Sequence, residues 1–194
     1  MRKQVVNFFA QTVQVIVSGM DRSAPAHEIL PGLWLGNRGA SQNQQWLRDK
    51  QIKTVFNCTK DIPFAPGIPN MYRVPVDDNL QQDELRNLEH WAWEITYKLS
   101  KERNQGNRIL VHCHAGMQRS AAVMAMYLIS QYRCTTDEAV AFLRSKRPVA
   151  FLGNVNFYSS IRGFELGLRK LILESGKVSQ WPKIPLPTDA ISNT

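Results

Sequence analysis

The stretch His112-Cys113-His114-Ala115-Gly116-Met117-Gln118-Arg119-Ser120 places a thiol and a guanidinium at the two ends of a seven-residue loop. One kind of chemistry suits that pattern: capture of a phosphate dianion and attack on its phosphorus. The backbone N–H groups of His114, Ala115, Gly116, Met117 and Gln118 can turn inward as an anion nest, and Gly116 permits the tight path this needs. Arg119 adds a planar fork that can meet two phosphate oxygens at once. A helix starting near Ser120 would add the positive end of its dipole, and the combined field favours Cys113 as a thiolate. A thiolate attacking phosphorus gives a phosphocysteine, which divides hydrolysis into transfer to the protein and transfer to water. Ser120 is a candidate hydrogen-bond donor to the departing sulfur, a helix cap, or both.

Blander readings compete with this one. Free cysteines are among the most buried residues, so Cys113 alone would read as a packed thiol, and its spacing from Gly116 and Arg119 is what marks it as a nucleophile. His112 and His114 tempt a metal reading. On an extended strand they project to the same side without the separated second pair that a zinc site uses, so no metal and no cofactor is expected.

Such a loop needs a rigid mount. Arg108 to His112 is a short apolar run of the kind found in the middle of a sheet, and Ser120 to Tyr132 is apolar on nearly all sides, which suits a helix at the centre of a domain. Upstream, Glu28 to Leu35 around a Pro31-Gly32 turn, Ile52 to Asn57, and Met71 to Val76 read as strands. Ser41 to Leu47 reads as a short helix, and Gln82 to Lys101 as a long one burying Leu85, Leu88, Trp91 or Ala92, Ile95 and Leu99. Thr136 is placed as the cap of a helix to Lys146, and a last helix runs from near Asn154 into the 170s. This order predicts an α/β fold, with a central, mostly parallel sheet of four or five strands flanked by helices.

Residues 1–26 stand apart as an amphipathic helix, with Val5, Phe9, Val13 and Ile16 or Val17 on one side, and a linker. Residues 27–175 form the main domain. Residues 176–194, with Pro182, Pro185 and Pro187 and little periodicity, are expected to be a mobile tail.

Lys and Arg number 24 against 16 Asp and Glu among 194 residues, a net charge of +8 that draws acidic partners: phosphoproteins, nucleic acid or anionic lipid. Cys58, Cys113 and Cys134 are odd in number and irregular in spacing, which argues against a disulfide framework and for a reducing compartment, the cytoplasm or also the nucleus. Asn7, Gln11, Thr12 and Gln14 interrupt any signal-peptide core, and no run reaches the ~18 apolar residues of a membrane span.

His112 to Ser120 matches the HCxxGxxRS signature and resembles that of protein tyrosine and dual-specificity phosphatases. Ile29 to Gly36 resembles the opening strand motif of the dual-specificity group, and Val55-Phe56-Asn57 its second strand, so the likeness covers roughly residues 27 to 170. The resemblance implies a protein phosphatase that hydrolyses phosphotyrosine and phosphoserine or phosphothreonine through a cysteinyl-phosphate, with Cys113 as nucleophile and Arg119 as phosphate clamp. It also implies a general acid. Val74-Pro75-Val76-Asp77-Asp78 is similar to the family's acid loop, with Asp78 at the family position; as plain turn chemistry the pair stays open, and a shift of one residue would exchange Asp77 and Asp78.

The motif that deepens the pocket of the large tyrosine-specific enzymes has no counterpart, which implies a shallow pocket. The segment Arg147 to Phe157 lacks the family's Pro-Asn pair. Poxvirus-type members show a similar variant and an N-terminal helix that helps form a dimer, so a homodimer through residues 5–17 is a further expectation. Two rival functions are an RNA 5′-triphosphatase of the same superfamily and a catalytically idle phosphoprotein-binding module. Lys60, Arg73 and Arg144 are either lining for the substrate approach or a solvated face.

Overall fold

The computed structural model describes residues 22–187. The expected α/β order is present. Strands β1 (Ala26–Leu30), β2 (Leu33–Gly36), β3 (Ile52–Asn57), β4 (Asn70–Arg73) and β5 (Arg108–His112) form one sheet in the order β1-β2-β5-β3-β4. The β1–β2 hairpin is antiparallel and every other pairing is parallel. Helices α1 (Arg38–Gln42), α2 (Gln44–Asp49), α3 (Gln82–Asn104), α4 (Arg119–Tyr132), α5 (Thr136–Lys146) and α6 (Tyr158–Glu174) complete the chain. The single short helix expected over Ser41 to Leu47 is two, because Asn43 closes α1 and caps α2 by accepting from Trp46 N.

Strand alternation sorts the core. Leu33, Leu35, Ile109 and Val111 face a large layer built on α4, while Trp34, Val55 and Leu110 face α1 and α2. Every residue of α4 from Ser120 to Ile129 is buried, and α3, α5 and α6 surround it. Only an apolar sequence can fill that place, which is why the run after Ser120 carries no charge.

Two polar features of the scaffold escape a pattern reading. Glu102, 3% exposed on α3, accepts from Thr54 Oγ1 (2.6 Å), Tyr72 OH (2.7 Å), Asn107 Nδ2 (2.8 Å) and Asn70 Nδ2 (2.9 Å), and so ties α3 to β3, β4 and the turn before β5. Burial alone would raise its pKa, but the four donors outweigh that and hold the carboxyl below its ordinary value. The cap of α5 is Thr135 rather than Thr136: Thr135 and Glu138 form a capping box, while Thr136 donates through its N–H and hydroxyl to buried Glu165.

The Pro-containing segment after α6, read from composition as a mobile tail, returns to the domain over its described part. Trp181 Nε1 donates to Arg133 O (2.5 Å), Ile184 N to Tyr132 O (2.8 Å), and Lys183 pairs with Glu138. An extended strap has no helical or strand period, so composition alone does not reveal these contacts. Residues 188–194 and the amphipathic segment proposed over 5–17 lie outside the described residues. Among the described residues, no helix is long and apolar enough to cross a membrane.

Candidate active site

Gly36, His112 and Asn57 lie level across β2, β5 and β3, so the segments leaving these three strands emerge side by side at one edge of the sheet. Cys113 begins the central one. It is 2% exposed, and its Sγ accepts from the Gly116 N–H at 3.3 Å and the Ser120 hydroxyl at 3.2 Å. Two donors aimed at sulfur suit an atom that carries negative charge.

The loop's carbonyls are fastened outward. His114 O accepts from Arg38 N (2.9 Å), Ala115 O from Arg147 Nη2 (3.3 Å), Gly116 O from Arg147 Nε (2.9 Å) and Met117 O from Phe151 N (2.8 Å). In a trans peptide the N–H points opposite to the carbonyl, so the amides of Ala115, Gly116, Met117 and Gln118 face the interior of the loop. Gly116 is required here. Its φ is +67°, and a Cβ would lie 2.5 Å from Gly36 O and 2.8 Å from Arg147 Nη2.

Arg147 was legible only as part of a variant motif, yet it underlies the whole loop. It is 1% exposed, and its Nη1 also donates to Ala24 O (3.2 Å) and His27 Nδ1 (2.8 Å). Burial pulls its pKa down to about 10, against the opposing pull of Cys113, and it stays a cation beneath the loop at neutral pH. Arg119 opens α4. Its Nη1 lies 3.4 Å from Val76 O, and its buried Nε has no hydrogen-bond partner among the described residues, which fits an oxyanion ligand.

The two aspartates of the neighbouring loop differ in surroundings. Buried Val74 and Val76 anchor that loop, with Val74 N donating to Asn57 O at 2.9 Å. Asp77 pairs with Lys60 at 2.7 Å, and Lys60 also pairs with Glu84 at 2.6 Å. Asp78 is exposed and accepts through Oδ1 from Asn156 Nδ2 at 2.9 Å. Asp77 is thus engaged with the scaffold, and Asp78 with the segment that wraps the 113–119 loop.

The two histidines part company, because β5 ends at His112 and alternation stops there. His112 is fully buried, with Nδ1 3.4 Å from Cys113 O, and burial pushes its pKa down to about 4. His114 is partly exposed, and its Nε2 lies 3.1 Å from both carboxylate oxygens of Asp61. Gln118 bonds through both ends of its amide, Nε2 to Asn154 O (2.7 Å) and Oε1 from Asn156 N (3.1 Å). Cys58 sits behind the loop, its N–H donating to His112 O at 2.8 Å, and burial followed by the charge of Cys113 raises its thiol pKa well above the ordinary range.

Lys60, Arg73 and Arg144 are fasteners. Arg73 donates to Thr59 O (2.8 Å) and Ile62 O (3.0 Å), and Arg144 to Phe151 O (2.8 Å). Sequence reasoning missed Asp61, Arg147 as a support, and Asn156. A charged residue next to a proline at a helix end was the one available sign for Arg147.

The family described as "Dual specificity phosphatase, catalytic domain" matches residues 33–166, more than half of the chain. Dual specificity protein phosphatase 2 of mouse is 35% identical over 130 residues, covering 66% of this chain and 39% of the relative. Its human counterpart is 33% identical over 146 residues, covering 75% and 45%. The chain therefore spans less than half the length of these curated relatives. Among solved structures, human DUSP28 superposes with a TM-score of 0.64 at 29% identity, covering 75% of this chain and 95% of that one. With the loop and strands β2 to β5 matched in one stretch, this chain belongs to the dual specificity phosphatase catalytic-domain family.

Proposed function

We propose that the protein hydrolyses phosphomonoesters of tyrosine, serine and threonine in phosphoproteins through a cysteinyl-phosphate at Cys113. The observation that carries this reading is the sulfur of Cys113 accepting from Gly116 N–H and the Ser120 hydroxyl at one end of the loop, with Arg119, whose buried Nε has no hydrogen-bond partner among the described residues, at the other. The phosphate dianion binds the amides and Arg119. The sulfur lone pair forms an S–P bond as the ester P–O bond breaks, and Asp78 gives its proton to the departing oxygen. Asp78, now a carboxylate, takes a proton from water as the water oxygen attacks phosphorus. The S–P bond then breaks, and Ser120 stabilises the thiolate that leaves.

Turnover of p-nitrophenyl phosphate and of phosphotyrosine and phosphothreonine peptides by wild type, Cys113→Ser and Asp78→Asn tests the proposal. Abolished turnover in Cys113→Ser and a loss on the order of 10²-fold or more in Asp78→Asn are expected. Wild-type protein that binds phosphate but turns over none of these substrates would act as a binding module instead.

A further inference from the structure

We infer that Asn156 positions the carboxyl group of Asp78 for proton transfer, and that Gln118 ties this position to the phosphate-binding loop. The inference rests on the hydrolytic reading above and adds a residue to it. Asn156 Nδ2 donates to Oδ1 of Asp78 at 2.9 Å, and among the described residues this is the hydrogen bond that holds the Asp78 carboxyl. In a protonated carboxyl the carbonyl oxygen is the stronger acceptor of an amide N–H. Holding Oδ1 as acceptor therefore favours Oδ2 as the oxygen that bears the acid proton, and so biases which side of the carboxyl gives it up.

Asn156 is itself held. Its backbone N–H donates to Gln118 Oε1 (3.1 Å), and Gln118 Nε2 donates to Asn154 O (2.7 Å), so both ends of one amide are used and the 154–156 backbone is pinned to the residue before Arg119. The next residue, Phe157, is buried, and Ser160 Oγ donates to Leu85 O (2.8 Å), which secures the far end of the segment to α3. The guanidinium that binds phosphate and the carboxyl that protonates the leaving oxygen are thus joined through Gln118 and Asn156. This is the segment in which the family's Pro-Asn pair is missing.

General acid catalysis matters most when the leaving oxygen is a poor leaving group. A positioning residue must therefore act selectively, whereas a merely structural one would affect all substrates alike. The test measures kcat/KM, which reports the steps through P–O cleavage, for Asn156→Ala, Asn156→Gln and Asp78→Asn on aryl phosphates of graded leaving-group acidity.

For Asn156→Ala, a fall of about tenfold on phenyl phosphate is expected, with less than about twofold change on the most activated aryl ester, which also reports that the variant is folded. Asn156→Gln, which keeps an amide donor, should recover part of the loss. Added to Asp78→Asn, the Asn156→Ala change should have no further effect. An equal fall on every ester, or an additive loss in the Asp78→Asn background, would overturn the role of Asn156 while leaving the acid assignment intact. Unchanged leaving-group dependence in Asp78→Asn itself would instead remove the acid assignment, and the positioning role with it.

Discussion

Arg147 Nε donates to the carbonyl oxygen of Gly116 at 2.9 Å, so a guanidinium 31 residues along the chain decides which way a loop peptide faces. Replacing Arg147 by Met keeps the bulk and removes the donors. Gly116 O would then be buried without this partner, at about 1–3 kcal/mol, and Ala115 O would lose its partner as well. We expect Arg147→Met to lower kcat/KM for aryl phosphate by about 10²-fold through misplaced amides, and to weaken vanadate binding in parallel. Unaltered vanadate affinity in a folded variant would show that the loop holds its shape without Arg147.

Ser120 donates to the Cys113 sulfur at 3.2 Å, and a hydrogen bond to a charged acceptor is worth about 1.5–3 kcal/mol. Its removal should slow the departure of thiolate from phosphorus more than the first step. Ser120→Ala is expected to show kcat reduced by roughly 10- to 100-fold with kcat/KM much less affected. Rapid mixing with p-nitrophenyl phosphate should then reveal a burst of one phenolate per protein. A variant that turns over slowly with no burst would place Ser120 in the first step.

Stability should fall in mild acid through His112. Its pKa in the fold is about 4, below the ordinary value of 6.5, because burial opposes the charged ring. Between those values the unfolded chain takes a proton that the folded one does not. Stability is therefore full above 6.5 and declines as pH falls toward 4, by on the order of 3 kcal/mol at the acid end. Glu102, whose pKa is lowered in the fold, adds a second loss as pH drops below its ordinary value of 4.5, when the unfolded chain protonates first. Denaturant unfolding at pH 7.5 and 5.0 should show a smaller pH dependence in His112→Gln than in wild type, and equal slopes would count against this account.

Trp181 fastens the segment after α6 by donating to Arg133 O, and the Arg169 guanidinium lies 5.0 Å from its ring centre. Trp181→Ala should cost about 1–2 kcal/mol in unfolding free energy while leaving aryl phosphate hydrolysis within about twofold, since the strap meets the far end of α4. A change below the error of a denaturation experiment would mean that the strap contributes nothing to the folded state.

The parts of the fold legible in the sequence are those whose signal is local. β5 and α4 announce themselves as uninterrupted apolar runs because each is covered on all sides, and Cys113, Gly116, Arg119 and Ser120 lie within one short stretch. What sequence reading missed depends on contacts between distant residues. Arg147 carries a charge, which argues for the surface, yet it is buried because the loop offers it carbonyls rather than a carboxylate. Glu102 reads as the polar face of an amphipathic helix until four donors from three other segments converge on it. Two adjacent threonines cannot be ranked as caps by type alone, and Thr136 loses that place to Thr135 because Glu165 claims it.

The outward anchoring of consecutive loop carbonyls, by Arg38, Arg147 and Phe151, has a consequence for the energetics of turnover. In water, the dipoles around a phosphate must be reoriented each time charge moves from the ester oxygen to the phosphoryl group. Here the equivalent dipoles belong to peptide units whose other ends are already bonded, so their alignment is settled once, when the chain folds. On the proposed mechanism the loop would behave as a small frozen solvation shell, with the reorganisation work of each reaction cycle moved into the single event of protein folding.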